Sequence, residues 1–430
     1  MFAQSSATPP RSKNDAIQIA LIGAGGQGMY DTKTALQAPG VKLVAACDVY
    51  QGRLTRAKEL WGNDLLVTRN FEEILARSDV DAVIIGTPDH WHDRVAIAAM
   101  KAGKDVYCEK PMVQKVEYGA AMVEAQKTTG RILQIGSQRV SSVIYQKARD
   151  LYRRGALGQL NSVEAWWDRN SAIGAWQYSI PPDASPETVD WDRFLGRAPK
   201  RPFEPVRLFR WRNYQHYGTG VAGDLFVHLF SGVHFVTGSI GPTRVFASGG
   251  LRFWKDGRDV PDVLMGTFDY PETPNHPAFN LFLRVNFVSG AGEDSGFRFT
   301  GSEGIMTIGY NGVTMAKQPR ETEPGYTIGT FPLAVQEEFL KQYRAKYPET
   351  RPSADAMRPT TQEVFSAPHN YSDSYDHLDR FFASVRSRQP VVEDAVFGLR
   401  AAGPALLSNV SYFERRVVKW DPEGMKVQAA

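Results

Sequence analysis

Apolar and polar positions alternate in short blocks along the first third of the chain. Ile17–Ile22 is an apolar run of strand length, interrupted by Gly23-Ala-Gly25-Gly-Gln27-Gly28. From Met29 to about Ala38 the spacing predicts a helix, stopped by Pro39-Gly40. Lys42–Cys47, Leu65–Thr68, Asp81–Thr87, Asp105–Cys108 and Arg131–Ile135 read as further strands. Between them, Ala57–Trp61, Phe71–Ala76, Asp93–Ala102 and Val116–Thr128 read as helices, the last two closed by Gly103 and Gly130. Repeated strand–helix units of this length predict a parallel, doubly wound sheet.

The pattern changes in the second half. Leu225–Val236 is an apolar helix, followed by strand-like runs at Thr243–Ser248, Val263–Phe268, Asn280–Phe287, Gly296–Thr300 and Gly304–Ile308. Gly, Pro, Asn and Asp turns separate these runs without crossover helices, so antiparallel pairing is expected.

Composition narrows the classes. A chain of 430 residues is too long for one ordinary core and favours two domains. Its 42% apolar and 23% charged content excludes extensive disorder. A net charge of +3, from 50 basic and 47 acidic residues, argues against nucleic-acid and membrane partners. Two cysteines, Cys47 and Cys108, exclude a disulfide scaffold or a multi-cysteine zinc site. In a doubly wound sheet of the usual order their strands are separated by two others, too far for a mutual disulfide. No apolar run approaches the roughly 20 residues of a bilayer span. Residues 1–15 read as a flexible leader without a signal peptide's basic and apolar regions. They could be the stub of a longer export signal.

The glycine turn lies between a strand and a helix, and Asp48 ends the next strand about twenty residues on. Gly23 permits the tight turn, Gly25 admits a pyrophosphate, and Gly28 lets the helix pack against the sheet. The helix N-terminus favours the phosphates. Asp48 can accept both ribose hydroxyls and would repel a 2′-phosphate, so NAD is expected. Arg53 and Arg56 keep NADP open.

Three further motifs sharpen this reading: Thr87-Pro88-Asp-His90-Trp-His92, Glu109-Lys110-Pro111, and Gly220-Val-Ala-Gly-Asp224-Leu-Phe-Val-His228. With the glycine turn, the chain resembles the glucose–fructose oxidoreductase / inositol dehydrogenase (Gfo/Idh/MocA) family from about residue 15 to 420. That resemblance implies an N-terminal Rossmann domain, here residues 16–138. It also implies a C-terminal α/β domain with a large, mostly antiparallel open sheet, here 139–420, for substrate binding and oligomerisation.

The resemblance places Lys110, Asp224 and His228 at the catalytic centre, and the residues suit that chemistry. Lys110 follows the carboxyl end of a parallel strand, where ligands bind in open α/β sheets, and can stabilise a developing alkoxide. An imidazole can take the hydroxyl proton, and Asp224 could orient it or the substrate. As an i,i+4 pair on a helix, Asp224 and His228 equally suit a surface hydrogen bond. Gly23, Gly25, Gln27, Gly28, Asp48, Thr87, Pro88, His92, Glu109, Lys110 and Gln138 are the cofactor candidates. For substrate the candidates are Lys110, Arg139, Trp167, Trp211, Arg212, Asp224 and His228.

His234 reads as structural, and Ser231 stands where the family commonly has an acid. His90 and His92 form an H-x-H pair without accompanying carboxylates or cysteines, so no metal is expected. Trp166 to Tyr217 interleaves tryptophans with arginines, as in a carbohydrate-facing lid or a Pro-pinned packed loop.

The expected function is an NAD(P)-dependent dehydrogenase acting on a secondary hydroxyl of a sugar, glycoside or cyclic polyol. Two alternatives are an NAD-dependent glycosidase using transient oxidation, elimination and water addition, and a catalytically inactive NAD-binding protein. A homo-oligomer, dimer or tetramer, is expected. The resemblance favours a periplasmic location with the export leader missing from this chain; the alternative is cytoplasmic.

Overall fold

The computed structural model describes residues 16–318, 324–348 and 362–428. The leader at 1–15 lies outside them. The first sheet contains β1 (Ile17–Ile22), β2 (Val41–Cys47), β3 (Leu66–Thr68), β4 (Ala82–Ile85), β5 (Asp105–Cys108) and β6 (Leu133–Ile135). Its strands are all parallel, in the order β3-β2-β1-β4-β5-β6. The order reverses between β1 and β4, which opens a crevice at their carboxyl ends. Cys47 and Cys108 are free and buried, with β1 and β4 between their strands.

The helix after β1 runs Gly26–Ala35 and so begins earlier than its apolar spacing predicts. Gly25 is extended and caps it, and Met29 N–H already donates to Gly25 O at 2.9 Å. The glycine turn is therefore itself the first turn of the helix.

The second sheet contains β7 (Leu160–Asp168), β8 (Arg244–Gly250), β9 (Val263–Tyr270), β10 (Phe279–Asn286) and β11 (Asp294–Gly301). It continues with β12 (Gly304–Ile308), β13 (Gly312–Lys317), β14 (Gln362–Ser366), β15 (Val418–Asp421) and β16 (Lys426–Val427). The order is β14-β13-β12-β11-β7-β10-β9-β8-β15-β16. The five expected strands are β8 to β12, and their mutual pairings are antiparallel. The strands missed from the sequence are β7 and the outer β13 to β16; β7 inserts between β10 and β11 and runs parallel to β10. Trp166 and Trp167 thus belong to a central strand rather than to a loop.

Helices Val143–Arg153, Val227–Thr237 and Ala395–Glu414 cover one face of this sheet. Along β10, Leu281, Leu283 and Val285 point into that core. The opposite face leaves Phe246, Met265 and Phe282 exposed. Near the C-terminus, helix Asp373–Ser387 returns to the first sheet, where Leu378, Phe381 and Phe382 join Ile19, Leu21, Ile84 and Tyr107.

Candidate active site

The turn after β1 is shaped for close approach. Gly23 has φ +94°, and a Cβ there would stand 2.6 Å from Gly86 C and Thr87 N. A Cβ on Gly28 would stand 2.1 Å from Gly23 O. Gly25 instead faces open space, its nearest neighbour the Arg53 guanidinium at 3.8 Å. Beside it opens a cavity of about 520 Å³ lined by Gly23, Gly25, Gln27, Asp48, Thr87, Pro88 and Trp211, among others.

Asp48 ends in this cavity. Its Oδ1 accepts Tyr50 N–H at 3.0 Å, and Arg53 Nη1 lies 3.4 Å from Oδ2. A buried carboxylate beside a glycine-lined helix N-terminus fits a dinucleotide, with the pyrophosphate at the turn and a ribose at Asp48.

The far wall comes from the irregular segment after β7. Tyr178, Ser179, Arg193, Phe194, Phe209 and Trp211 all line the large cavity. Tyr50 anchors the segment by its hydroxyl bond to Asp183 at 2.6 Å, a β-bridge to Val189 and an edge contact with Phe209. Trp191 packs on Phe194, and Trp176 packs on Phe287 while also lining a cavity with Lys110, Asp224 and His228. The segment therefore walls the cofactor-sized cavity. Its contribution there had no local signal in the sequence.

A second cavity of about 180 Å³ adjoins the first, with Gln27, Tyr178 and Arg212 on the walls of both. It gathers Glu109, Lys110, Gln138, Trp167, Arg169, Asp224 and His228. Lys110 follows β5, and its ammonium donates to Asp224 Oδ1 at 2.9 Å and to Asp224 O at 3.0 Å. Arg212 Nε donates to the same Oδ1 at 3.2 Å. Asp224 sits in a π-helical turn, Ala222–Phe226, that precedes Val227–Thr237. The regular helix expected from Leu225 is thus widened at its start, and Asp224 binds Lys110 and Arg212.

His228 packs against Trp167, ring centroids 5.2 Å apart, and its buried Nδ1 has no partner among the described residues. Burial, reinforced by the Lys110 and Arg169 charges, pushes the imidazole well below its usual range, against the pull of Asp224. Burial alone would raise Asp224, but Lys110, Arg212 and Arg169 outweigh it and hold the carboxyl well below the carboxylate range. The pocket therefore presents a neutral base beside an ammonium and an ionised carboxylate.

Gln138 Nε2 donates to Glu109 Oε1 at 2.7 Å on the same wall. His92 lies behind it, bridging Pro111 O at 2.7 Å and Thr87 O at 2.8 Å, and so ties two motif turns together. His90 similarly meets Phe194 O and Tyr217 O. Arg139 points elsewhere, to Gly309 O, Tyr310 O and Asp373. His234 is buried and bonded to the Tyr270 hydroxyl at 2.9 Å. Ser231 faces Ser137 and the buried Glu393. Arg169 and Tyr178 are pocket residues that the motif reading missed. Arg169 directly follows the unrecognised β7, and that strand was the signal needed to find it.

Comparison with known proteins agrees with this architecture. Residues 17–137 match the model for the oxidoreductase family, NAD-binding Rossmann fold, and residues 145–307 match the GFO/IDH/MocA C-terminal domain. A glycosyl hydrolase family 109 protein of Shewanella baltica (strain OS155 / ATCC BAA-1091) is 31% identical over 169 residues, 36% of this chain and 35% of the relative. The scyllo-inositol 2-dehydrogenase (NAD(+)) of Bacillus subtilis (strain 168) is 34% identical over 149 residues, 33% of this chain and 42% of that one. Each match thus spans well under half of the relative's length. Levoglucosan dehydrogenase, solved with NADH and levoglucosan, superposes with a TM-score of 0.65 at 18% identity, covering 94% of this chain and 99% of that one. A probable dehydrogenase from Thermotoga maritima gives 0.62 at 19% identity, covering 95% and 100%. At that identity the superpositions establish a shared fold.

Proposed function

The chain belongs to the Gfo/Idh/MocA oxidoreductase family, and from that premise we propose that it oxidises a secondary hydroxyl of a sugar, glycoside or cyclic polyol with NAD. The observation that carries the reading is the Lys110–Asp224 pair beside neutral His228, in a pocket sharing Gln27, Tyr178 and Arg212 with the glycine-lined cavity.

When bound, the nicotinamide supplies a hydride acceptor. Two of the three Lys110 ammonium donors are held by Asp224, and the third is free to bond the substrate hydroxyl oxygen. That bond strengthens as the oxygen becomes alkoxide-like. His228 accepts the hydroxyl proton as the carbon–hydrogen bond breaks, leaving a ketone. Asp224 positions Lys110 and Arg212, and Trp167 offers a flat face to an apolar ring surface. Gly23, Gly25, Gln27 and Gly28 take the pyrophosphate, Asp48 the adenosine ribose, and Thr87, Pro88, Glu109 and Gln138 the nicotinamide end. His92 acts by holding the Thr87 and Pro111 turns. Purified protein given NAD and a panel of sugars, polyols and glycosides should form one NADH per ketone.

The similarity to family 109 glycosyl hydrolases favours one second reading. There the transient ketone acidifies the neighbouring carbon–hydrogen bond, the glycosidic oxygen is eliminated, water adds, and the ketone is reduced again. Aglycone release without net NADH from aryl glycosides supports it. Silence in both assays leaves the inactive NAD-binding alternative.

We assign residues 16–138 to cofactor binding and 139–420 to substrate binding and assembly. The open sheet face, with Phe246, Met265 and Phe282 exposed, supports homo-oligomerisation. No helix among the described residues is long and apolar enough to cross a membrane. We assign a periplasmic location on the motif resemblance, and cell fractionation that finds the protein with cytoplasmic markers contradicts it.

A further inference from the structure

Among the described residues, the small pocket holds one cation without a carboxylate partner. Lys110, Arg169 and Arg212 line it together with two acids, Glu109 and the ionised Asp224. Lys110 and Arg212 both bond Asp224 Oδ1. Arg169 does not: among the described residues its guanidinium makes one hydrogen bond, from Nη1 to the neutral carbonyl of Gly174 at 2.9 Å, and lies 5.4 Å from the Phe287 ring centroid. Among the described residues it forms no ion pair. The other acid on the wall, Glu109, accepts from Gln138, and burial raises its pKa against the pull of Lys110. Three cations thus share this wall with two acids, and among the described residues Arg169 is the one of the three without a carboxylate partner.

A neutral hydroxylated ring leaves the Arg169 guanidinium without a counter-charge. Half-buried guanidiniums are costly unless paired, and a planar guanidinium matches a carboxylate with two parallel bonds. We propose that the pocket selects a carboxylate-bearing carbohydrate, a sugar acid or its glycoside, with Arg169 as the residue that receives the carboxylate. This rests on the carbohydrate-oxidation reading above and narrows its substrate class. Lys110 and His228 act on the hydroxyl, while Arg169, at the end of β7, holds the acidic group and sets the ring's orientation. The position explains why the arginine immediately follows Trp167-Asp168: the strand presents the flat ring and the charge to one cavity.

The test compares glucuronate, galacturonate and mannuronate with the parent hexoses, by calorimetry on the NADH-loaded protein. The uronates should bind about tenfold or more tightly than their parents. Arg169→Met should weaken uronate binding by about ten- to a hundredfold, the loss of one charge-assisted contact. The ratio of uronate to hexose affinity should fall accordingly, and Arg169→Lys should restore part of the uronate preference. Should Arg169→Met fail to fold, the native protein still decides: uronate affinity must fall with added salt while hexose affinity stays level.

Parents binding as tightly as uronates, or a salt-independent uronate affinity, overturn the proposal. An Arg169→Met protein that keeps the full preference overturns the assignment of Arg169. Hexose oxidation with NADH formation and no uronate preference removes the acid selectivity alone. Absence of binding and turnover across every pair removes the carbohydrate reading with it.

Discussion

Lys110 carries the chemistry at the scale of single residues. Its ammonium is fixed by two bonds to Asp224, so replacement removes a donor aimed at the reacting oxygen while leaving the glycine-lined cavity intact. Lys110→Met should lower kcat about a hundredfold or more with NADH affinity within about threefold, read by steady-state kinetics and fluorescence titration. Full turnover in that variant would remove Lys110 from the mechanism. His228 makes the second prediction. Because burial and the neighbouring cations depress it, the imidazole is neutral at pH 7 and stays neutral as pH falls through the ordinary histidine range. The acid limb of kcat/KM for oxidation should therefore lie below about pH 6.5. A limb at or above that value contradicts the assignment.

At the scale of elements, the turn after β1 and the helix Asp373–Ser387 are the most exposed to test. Gly23→Ala must place a Cβ against the Gly86–Thr87 backbone at positive φ, whereas Gly26→Ala meets nothing within 4 Å. The first should abolish NADH binding or folding and the second should preserve both, as measured by titration and circular dichroism. On the C-terminal helix, His377 accepts from Ser141 Oγ at 2.7 Å and donates Nε2–H to Ile135 O at 2.8 Å. Burial lowers its pKa to about 4. Between that value and the unfolded value near 6.5, the unfolded chain binds more protons, so stability rises with pH there. His377 thus destabilises the fold by up to about 3 kcal/mol as pH falls through that window. The stability gap between the native protein and His377→Gln should narrow correspondingly in urea unfolding, and a constant gap contradicts the buried neutral ring.

The same elements show what was legible in advance. β1, β2, β4 to β6, β8 to β10 and β12 stand out because each carries buried apolar residues between turn residues, and β3 and β11 stand out by their length and their flanking turns. β7 does not, because Trp166 and Trp167 are adjacent. Trp166 bonds Asp294 at 2.6 Å near the open face while Trp167 meets His228, so two bulky neighbours serve opposite faces. The π-helical turn at Asp224 was equally silent, since one widened turn leaves no mark on apolar spacing. Lys110, Asp224 and His228 could be picked out as a set from motifs separated by more than a hundred residues, but the bond partner of Asp224 could not. Arg169 escaped because its strand did.

On the whole molecule, the two sheets divide the work. The first supplies the crevice at the β1/β4 reversal, and the second turns one face to the shared core and leaves the other open. If that open face assembles copies of the chain, Phe282→Asp should shift the protein towards monomer in analytical ultracentrifugation while sparing NADH binding. An unchanged oligomer would place assembly elsewhere. The overall charge of +3 says little about the site, where the cations concentrate around Asp224.

The central claim is that a hydride leaves a carbohydrate carbon inside the Lys110–Asp224–His228 pocket. Carbon-deuterated sugars and sugar acids incubated with the protein and NAD, with the cofactor then analysed by mass spectrometry, test it most directly. The account predicts one deuterium in the reduced cofactor with the native protein and little or none with Lys110→Met. Unlabelled cofactor from a carbohydrate that the protein binds and transforms, or equal labelling by Lys110→Met, would contradict it.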